Sequence, residues 1–154
     1  MSLAERKFVL DTNLFIDGFR DRTANEELQF FHRLFAPFEY LSAVVVHELF
    51  AGTRSRADQR LLEQKLVAPL ASRGRMVTPS YDAWVGAGRV LAWMSNEDGL
   101  AIRTVKRAFG NDVLIALSCR EAGLTLITRN RKDFARIARI APFRFEAPWP
   151  RPSS

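Results

Sequence analysis

Apolar and polar residues follow one another along this chain in blocks, and the first block predicts a buried strand. Phe8, Val9 and Leu10 are three consecutive apolar residues, and Asp11 follows them directly. This change from apolar to polar is typical of a strand that ends at the rim of a sheet. Because ligands bind at the carboxyl ends of parallel strands, Asp11 would lie where chemistry can occur. An aspartate after a strand is also a common turn or helix-cap residue, so both interpretations stay open.

The spacing of apolar residues predicts most of the elements that follow. We expect helices over 14–20, 26–35, 43–51, 56–68, 81–94, 100–109 and 111–122, and strands over 38–41, 76–78, 124–127 and 143–145. Asn13, Ser42 and Asn111 are expected to cap the helices that follow them. Pro69 and Gly110 are each expected to end a helix. Alternating strands and helices indicate the α/β class, with a central parallel sheet flanked by helices.

The third predicted helix carries an acid on its apolar side. Around Glu48, the residues one turn away are Val44, Val45, Ala51 and Gly52. A buried carboxylate without a partner costs several kcal/mol or shifts its pKa, so this side chain requires a cation, either a metal ion or a buried arginine. The valines at the start of the segment could equally extend the preceding strand.

A second acid and a second polar strand end repeat this arrangement. Asp112 lies above a narrow inward-facing stripe of apolar and small residues, although a place in the first helical turn would also explain an acid there. The strand predicted over 124–127 ends in polar residues that include Asn130 and Asp133. Parallel strands joined by helices bring their carboxyl ends to the same edge. We therefore expect one pocket, lined by Asp11, Glu48, Asp112 and either Asn130 or Asp133.

Length and composition limit the kinds of protein that this chain can be. With 154 residues, 47% of them hydrophobic, the chain forms one ordinary core, which we place at 1–147, followed by a loose Pro-rich tail at 148–154. No apolar run approaches the roughly 20 residues of a membrane span, and the first residues lack the core of a signal peptide. Cys119 is the single cysteine, which excludes an internal disulfide and a cysteine-rich zinc site. We expect a cytoplasmic protein with no membrane partner.

The charge balance adds a candidate partner. Lysine and arginine total 23 against 17 acids, giving a net charge of +6, so the surface should attract polyanions such as nucleic acid. Solvated helix surface would explain much of this charge equally well. Arg129, Arg131 and Lys132 are candidate phosphate contacts beside the expected pocket. Trp84 and Trp93 are expected to be mainly structural.

Four short motifs in this order resemble those of the PIN-domain nucleases, and most closely the VapC toxins of bacterial toxin–antitoxin pairs. The motifs are Val9-Leu10-Asp11-Thr12-Asn13, Val46-His47-Glu48-Leu49, Asn111-Asp112-Val113-Leu114-Ile115-Ala116, and Thr128-Arg129-Asn130 with Asp133-Phe134. The resemblance covers nearly the whole chain, from Phe8 to Phe145. It implies an endoribonuclease that depends on Mg²⁺ or Mn²⁺, forms a homodimer and is held inactive by a cognate antitoxin protein.

The same resemblance implies roles for individual residues. By motif position, Asp11, Glu48 and Asp112 would be catalytic residues that bind the metal. The family's fourth position, often acidic, falls on Asn130, so Asp133 is a candidate substitute and the number of metal ions stays open. The expected substrate contacts are Asn13, Thr128, Arg129, Arg131 and Lys132. The implied chemistry is attack on RNA by a metal-activated water, which leaves 5′-phosphate and 3′-hydroxyl ends.

Two other functions remain as alternatives. Haloacid-dehalogenase-like phosphatases also place an aspartate after their first strand, but they have a second one two residues later, where this chain has Asn13. A nucleic-acid-binding module without catalysis would have acids with structural roles alone. The nuclease is preferred because it accounts for the inward-facing acids and the basic surface together.

Overall fold

A five-stranded parallel sheet forms the centre of the computed structural model, which describes residues 6–97, 99 and 106–151. Its strands are β1 (Phe8–Leu10), β2 (Glu39–Ser42), β3 (Met76–Val77), β4 (Thr125–Ile127) and β5 (Arg144–Glu146). They lie in the order β3-β2-β1-β4-β5, and every neighbouring pair is parallel. The predicted α/β class with a central parallel sheet is confirmed.

Helices connect these strands. They are α1 (Thr12–Arg20), α2 (Arg22–Phe35), α3 (Ala43–Ala51), α4 (Arg56–Leu62), α5 (Ala68–Ser72), α6 (Tyr81–Glu97), α7 (Arg107–Ala122) and α8 (Arg131–Ile140). A 3₁₀ turn (Ala36–Phe38) precedes β2, and a π-helical turn (Glu63–Val67) joins α4 to α5. None of the helices in the described ranges has both the length and the apolar character needed to cross a membrane.

The strand order brings two polar strand ends together. Strands β2 and β3 lie on one side of β1, and β4 and β5 lie on the other. The chain leaves β1 toward β2 and leaves β4 toward β5, which are opposite directions across the sheet. This divergence leaves a crevice at the carboxyl ends of β1 and β4, where ligands bind in open parallel sheets. Asp11 follows β1, Thr128 follows β4, and the backbone N–H of Asp11 donates to the carbonyl of Ile127 at 2.9 Å. The two strand ends therefore lie side by side, as the sequence predicts.

Burial of the central strands on both faces explains their continuous apolar sequences. Each residue of β1 is at most 1% exposed. The ring of Phe8 packs edge-on against Phe31 and Phe35 of α2, with centroids 6.1 and 5.3 Å away. Cys119 of α7 is buried and unpaired, as expected for small core filling. The core thus fixes the position of β1 and, with it, the position of Asp11.

The helix that follows β1 begins earlier than predicted. Asp11 is the N-cap of α1, and its Oδ1 accepts a hydrogen bond from the backbone N–H of Thr12 at 2.8 Å. The prediction that Asn13 caps this helix was wrong, because the chain turns directly after the strand. The predicted cap of α3 is confirmed, since Ser42 Oγ accepts from the backbone N–H of Val44 at 3.1 Å.

Helix α7 also begins earlier than predicted, at Arg107, and continues through Gly110. The predictions that Gly110 ends a helix and that Asn111 caps the next one were wrong. Asn111 lies inside α7, and its side-chain amide Nδ2 donates to Glu48 at 3.4 Å. Most of the basic helix predicted over 100–109 lies outside the described residues. Asp112 consequently lies in the second turn of α7, which removes the first-turn explanation for this acid.

The helical path from Arg56 continues past the predicted stop at Pro69 and ends at Ser72. The π-helical turn explains why, because the backbone N–H of Ala68 donates to the carbonyl of Glu63, five residues earlier. Proline has no backbone N–H to donate within a helix. The wider turn lets the helical path continue, and Pro69 lies in the first turn of α5, where no such donor is needed.

Two residues of the C-terminal tail, Trp149 and Pro150, are packed against the fold, which differs from the expectation of a loose tail. The ring of Trp149 lies 5.3 Å from that of Phe31, and its Nε1 donates to Glu27 Oε2 at 2.9 Å. Pro150 is buried. The tail therefore covers part of α2.

Two tryptophans on α6 are exposed, against the expectation that they are structural. Trp84 is 60% exposed and Trp93 is 48% exposed. Small residues form the contact of α6 with α7 instead: Ala87 is buried, and a Cβ on Gly86 would lie 3.3 Å from Leu117 Cδ1. Close approach of the two helices leaves both indole rings on the surface.

Candidate active site

Asp11 is a buried carboxylate held by two hydrogen bonds. It is 5% exposed, its Oδ1 accepts from the N–H of Thr12 at 2.8 Å, and its Oδ2 accepts from Thr128 Oγ1 at 2.7 Å. Burial raises the pKa of Asp11, the bonds from Thr128 and Thr12 oppose that rise, and the charge of Glu48 adds to it. The carboxylate therefore has a fixed orientation and an unfavourable charge.

Glu48 lies on α3 and is held by two other polar side chains. Its Oε1 accepts from Thr12 Oγ1 at 2.6 Å, and its Oε2 accepts from Asn111 Nδ2 at 3.4 Å. Glu48 takes part in no ion pair found within the described ranges, so the alternative of a salt bridge to a buried arginine has no support there. Hydroxyl and amide donors orient Glu48 without neutralising its charge.

Asp112 has a pKa raised to about 8. The largest cause is burial, followed by the negative charges of Asp11, Glu48 and Asp133. A carboxylate whose charge raises the pKa of Asp112 must lie within electrostatic reach of it. The four acids, from the end of β1 and from α3, α7 and α8, thus form one interacting group.

Asn130 lies between two of these acids. It is the N-cap of α8, and its Nδ2 donates to Asp133 Oδ2 at 3.1 Å and, over a long 3.5 Å, to Asp112 Oδ2. Its own backbone N–H donates to Thr128 Oγ1 at 2.9 Å. An amide at this position links the two acids without adding a fifth negative charge.

Two hydrogen-bonded chains bring the predicted catalytic residues to one edge of the sheet. The first chain contains Asp11, Thr128, Asn130, Asp112 and Asp133. The second contains Thr12, Glu48 and Asn111. Because Thr12 adjoins Asp11 and Asn111 adjoins Asp112, the two chains meet at both ends.

The donor set fits a hard divalent cation in its chemistry. Among residues 6–97, 99 and 106–151, no three acids, histidines or cysteines already stand close enough to share an ion. The acids are nevertheless close enough for their charges to raise the pKa of Asp112. Carboxylate and amide oxygens are the ligands that Mg²⁺ and Mn²⁺ prefer, and a cation relieves repulsion between acids. Asp11, Glu48 and Asp112 are the residues available to hold it.

The predicted substrate contacts occupy different environments. Four of them are exposed: Asn13, Arg129, Arg131 and Lys132. Arg129 also forms ion pairs with Asp17 and, at 3.9 Å, with Glu27. Thr128 is fully buried, and its hydroxyl is engaged with Asp11. Their contacts with RNA stay predictions.

Thr12 and Asn111 both hold Glu48, a contact that was not predicted from the sequence for either residue. Each of them directly adjoins one of the predicted acids, Asp11 or Asp112. A polar residue next to an inward-facing acid was the available signal. Which acid each residue contacts depends on how α3 packs against α1 and α7, and sequence spacing does not reveal that packing.

Comparison with known structures gives similar chains in three bacterial complexes. One, from the DNA-bound VapBC of Salmonella typhimurium, shares 24% identity with a TM-score of 0.66, covering 92% of this chain and 98% of that chain. Another, from FitAcB of Neisseria gonorrhoeae, shares 21% identity with a TM-score of 0.66 and the same coverage. A third, from a toxin–antitoxin complex of Klebsiella pneumoniae, shares 26% identity with a TM-score of 0.53, covering 90% of this chain and 99% of that chain.

Comparison with protein families gives a match over most of the sequence, whereas no curated protein matches it. The family model described as the PIN domain covers residues 8–140, from the first strand to the end of α8. The matched region contains every predicted catalytic residue, and the resemblance to PIN-domain nucleases is confirmed. This chain belongs to the PIN domain family.

Proposed function

We propose that this protein is a metal-dependent endoribonuclease and the toxin of a type II toxin–antitoxin pair. The observation that carries the proposal is the group of four acids at the edge of the sheet, in which burial and the charges of Asp11, Glu48 and Asp133 raise the pKa of Asp112 to about 8. Such a group is costly in a protein unless a cation is bound. Membership of the PIN domain family supports nuclease chemistry at this site.

In the proposed mechanism, Asp11, Glu48 and Asp112 hold Mg²⁺ or Mn²⁺. When bound, the cation supplies charge neutralisation at the phosphate and lowers the pKa of a water molecule. Thr128 keeps Asp11 in position through its bond to Oδ2, while Asn130 separates Asp112 from Asp133. These hydrogen bonds orient the individual acids, and binding of the cation would bring Asp11, Glu48 and Asp112 within reach of one ion.

Water, rather than a side chain or the RNA 2′-hydroxyl, is the proposed nucleophile. The predicted catalytic residues are carboxylates and one amide, none of which is a strong nucleophile of the serine or cysteine type. Attack by water leaves a 5′-phosphate and a 3′-hydroxyl. Exposed Arg131 and Lys132 at the start of α8 are the proposed phosphate contacts, which the net charge of +6 supports.

A cognate antitoxin and a homodimer are the proposed protein partners. An apolar groove of about 580 Å³ opens beside Glu48, with Phe19 and Leu61 in its lining 60% and 55% exposed. Exposed apolar surface of this kind is typical of a protein interface. A segment bound there would cover Glu48, which supports inhibition by a protein partner.

The test of this proposal is expression of the wild type in cells beside Asp11→Asn, with the RNA pool sequenced for new 5′ ends. The exposed acid Asp82 on α6 gives a matched control, Asp82→Asn. We expect growth arrest and cuts at defined sites with the wild type and with Asp82→Asn, and neither with Asp11→Asn. The same set of cuts with Asp11→Asn would overturn the proposal.

A further inference from the structure

Helix α8 carries a line of basic residues that leads away from the acids. Lys132, Arg136 and Arg139 are spaced at i, i+4 and i+7, so they share one side of the helix. The helix begins at its cap, Asn130, which contacts Asp112 and Asp133. At the rise of an α-helix, the line from Lys132 to Arg139 extends about 10 Å. Positive charge thus continues outward from the candidate site.

An exposed aromatic ring lies at the far end of this line. A surface cavity of about 360 Å³ is lined by Trp93, Arg136, Arg139 and Ile140. Two of these four residues are positively charged and none of the four is acidic. Trp93 is 48% exposed, and the guanidinium group of Arg136 lies over the ring of Phe109, 5.8 Å from its centroid. The cavity therefore combines an indole face with two guanidinium groups.

This combination favours single-stranded nucleic acid over a protein segment. A base stacks on an indole face whatever its identity, and guanidinium groups pair with the phosphates on either side. A double helix would hide the base faces, so it could not use the ring of Trp93. An apolar protein segment placed here would bury Arg139 without neutralising it, which is costly.

We propose that Lys132, Arg136, Arg139 and Trp93 form a track for the RNA substrate, here called the α8 track. Phosphates follow the basic residues, and a base several nucleotides from the cut bond stacks on Trp93. The identity of the substrate as RNA rests on the proposed function. The α8 track adds where the substrate lies and requires that it be unpaired at that position.

The first test measures binding without cleavage. All variants are made in an Asp112→Asn background, and fluorescence anisotropy follows a labelled single-stranded RNA of mixed sequence. Trp93→Leu should raise the Kd about tenfold, because one base loses its stacking partner, whereas Trp93→Phe should stay within about twofold. Trp84→Leu removes the other exposed tryptophan of the same helix and should leave the Kd unchanged.

The second test measures the charge of the track. Arg139→Gln removes one positive charge at an exposed position. The slope of log Kd against log salt concentration should fall by about 0.7 for one lost phosphate contact on a single strand. Trp93→Leu should leave that slope unchanged, because stacking releases no counterion. A fully paired duplex of the same sequence should bind Trp93→Leu and its parent equally.

Several results would overturn the track. The proposal is overturned if Trp93→Leu and Trp84→Leu both bind single-stranded RNA as tightly as the parent. It is also overturned if the parent shows no measurable binding. A change of molar mass with Trp93→Leu in light scattering, with RNA affinity unaltered, would assign the cavity to a protein interface. Cleavage is not measured in these experiments, so failure of the proposed nuclease function would be detected separately, in the comparison of the wild type with Asp11→Asn.

Discussion

Thr128 donates a hydrogen bond from Oγ1 to Oδ2 of Asp11 at 2.7 Å, across 117 positions of sequence. Both residues are buried, with Asp11 5% exposed and Thr128 0% exposed. The bond follows from sheet register, because Leu10 pairs with Ile127 and the residues that come next lie side by side. The orientation of the central carboxylate therefore depends on the packing of β1 beside β4 as well as on the local bond from Thr12.

Removing the Thr128 hydroxyl should weaken both the fold and the site. Thr128→Val keeps the shape but leaves Asp11 Oδ2 without its donor in a buried place, so we expect a loss of about 1–3 kcal/mol in the free energy of unfolding. RNA cleavage should fall as Asp11 loses its orientation. Thr128→Ser retains the hydroxyl and should retain most activity. Urea unfolding and cleavage assays of the two variants measure these effects, and equal behaviour of Val and Ser would contradict the assignment.

The metal-free protein should become less stable as the pH rises, because of Asp112. Its pKa is about 8 in the folded protein against an ordinary value of 3.8, so the folded protein keeps a proton that the unfolded chain has released. This stabilisation is complete below the unfolded pKa and is lost as the pH rises through the folded pKa. Urea unfolding in EDTA between about pH 5 and pH 8 should show the decline, with a shallower one for Asp112→Asn. Parallel pH profiles for the two proteins would count against the raised pKa.

An acid at position 130 should strengthen cation binding at the expense of metal-free stability. Asn130→Asp keeps a residue that can cap α8 but adds a negative charge next to Asp112 and Asp133. Titration calorimetry with Mn²⁺ should show tighter binding, and unfolding in EDTA should occur at lower urea. Asn130→Ala, the control, removes the cap at a cost of about 1 kcal/mol and should not tighten Mn²⁺ binding. Unchanged Mn²⁺ affinity in Asn130→Asp would place residue 130 outside the cation site.

The basic residues that follow β4 should contribute unequally to RNA binding. Arg129 is already paired with Asp17 and lies 3.9 Å from Glu27, whereas Lys132 is exposed on the outer side of α8. Lys132→Gln should therefore lower the salt slope of RNA binding by about 0.7, and Arg129→Gln should lower it less. Anisotropy titrations over a series of salt concentrations make the comparison. A larger effect at Arg129 would show that its ion pairs open to receive phosphate.

The sequence predicts the central strands well because they are buried on both faces. The apolar runs at 8–10 and 124–127 end abruptly in polar residues, and that boundary is visible without structure. Ser42 is equally predictable as a cap, since its hydroxyl finds backbone N–H groups within the next turn. Such features depend on local chemistry or on simple burial.

Predictions fail where a tertiary contact decides the outcome. Asn111 bonds to Glu48 instead of capping a helix, and the π-helical turn lets the chain continue through Pro69. Within the site, the acids are foreseeable from their inward-facing positions. The bond from Thr12 to Glu48 is not, because it depends on how α1 packs against α3.

Cleavage of a purified single-stranded RNA, with analysis of the product ends, tests the central claim most directly. The wild type with Mg²⁺ or Mn²⁺ should yield 5′-phosphate and 3′-hydroxyl ends, while EDTA or the substitution Asp112→Asn should abolish cleavage. Undiminished cutting by Asp112→Asn or in EDTA, or products that carry a 2′,3′-cyclic phosphate, would contradict a site in which Asp11, Glu48 and Asp112 hold a catalytic cation.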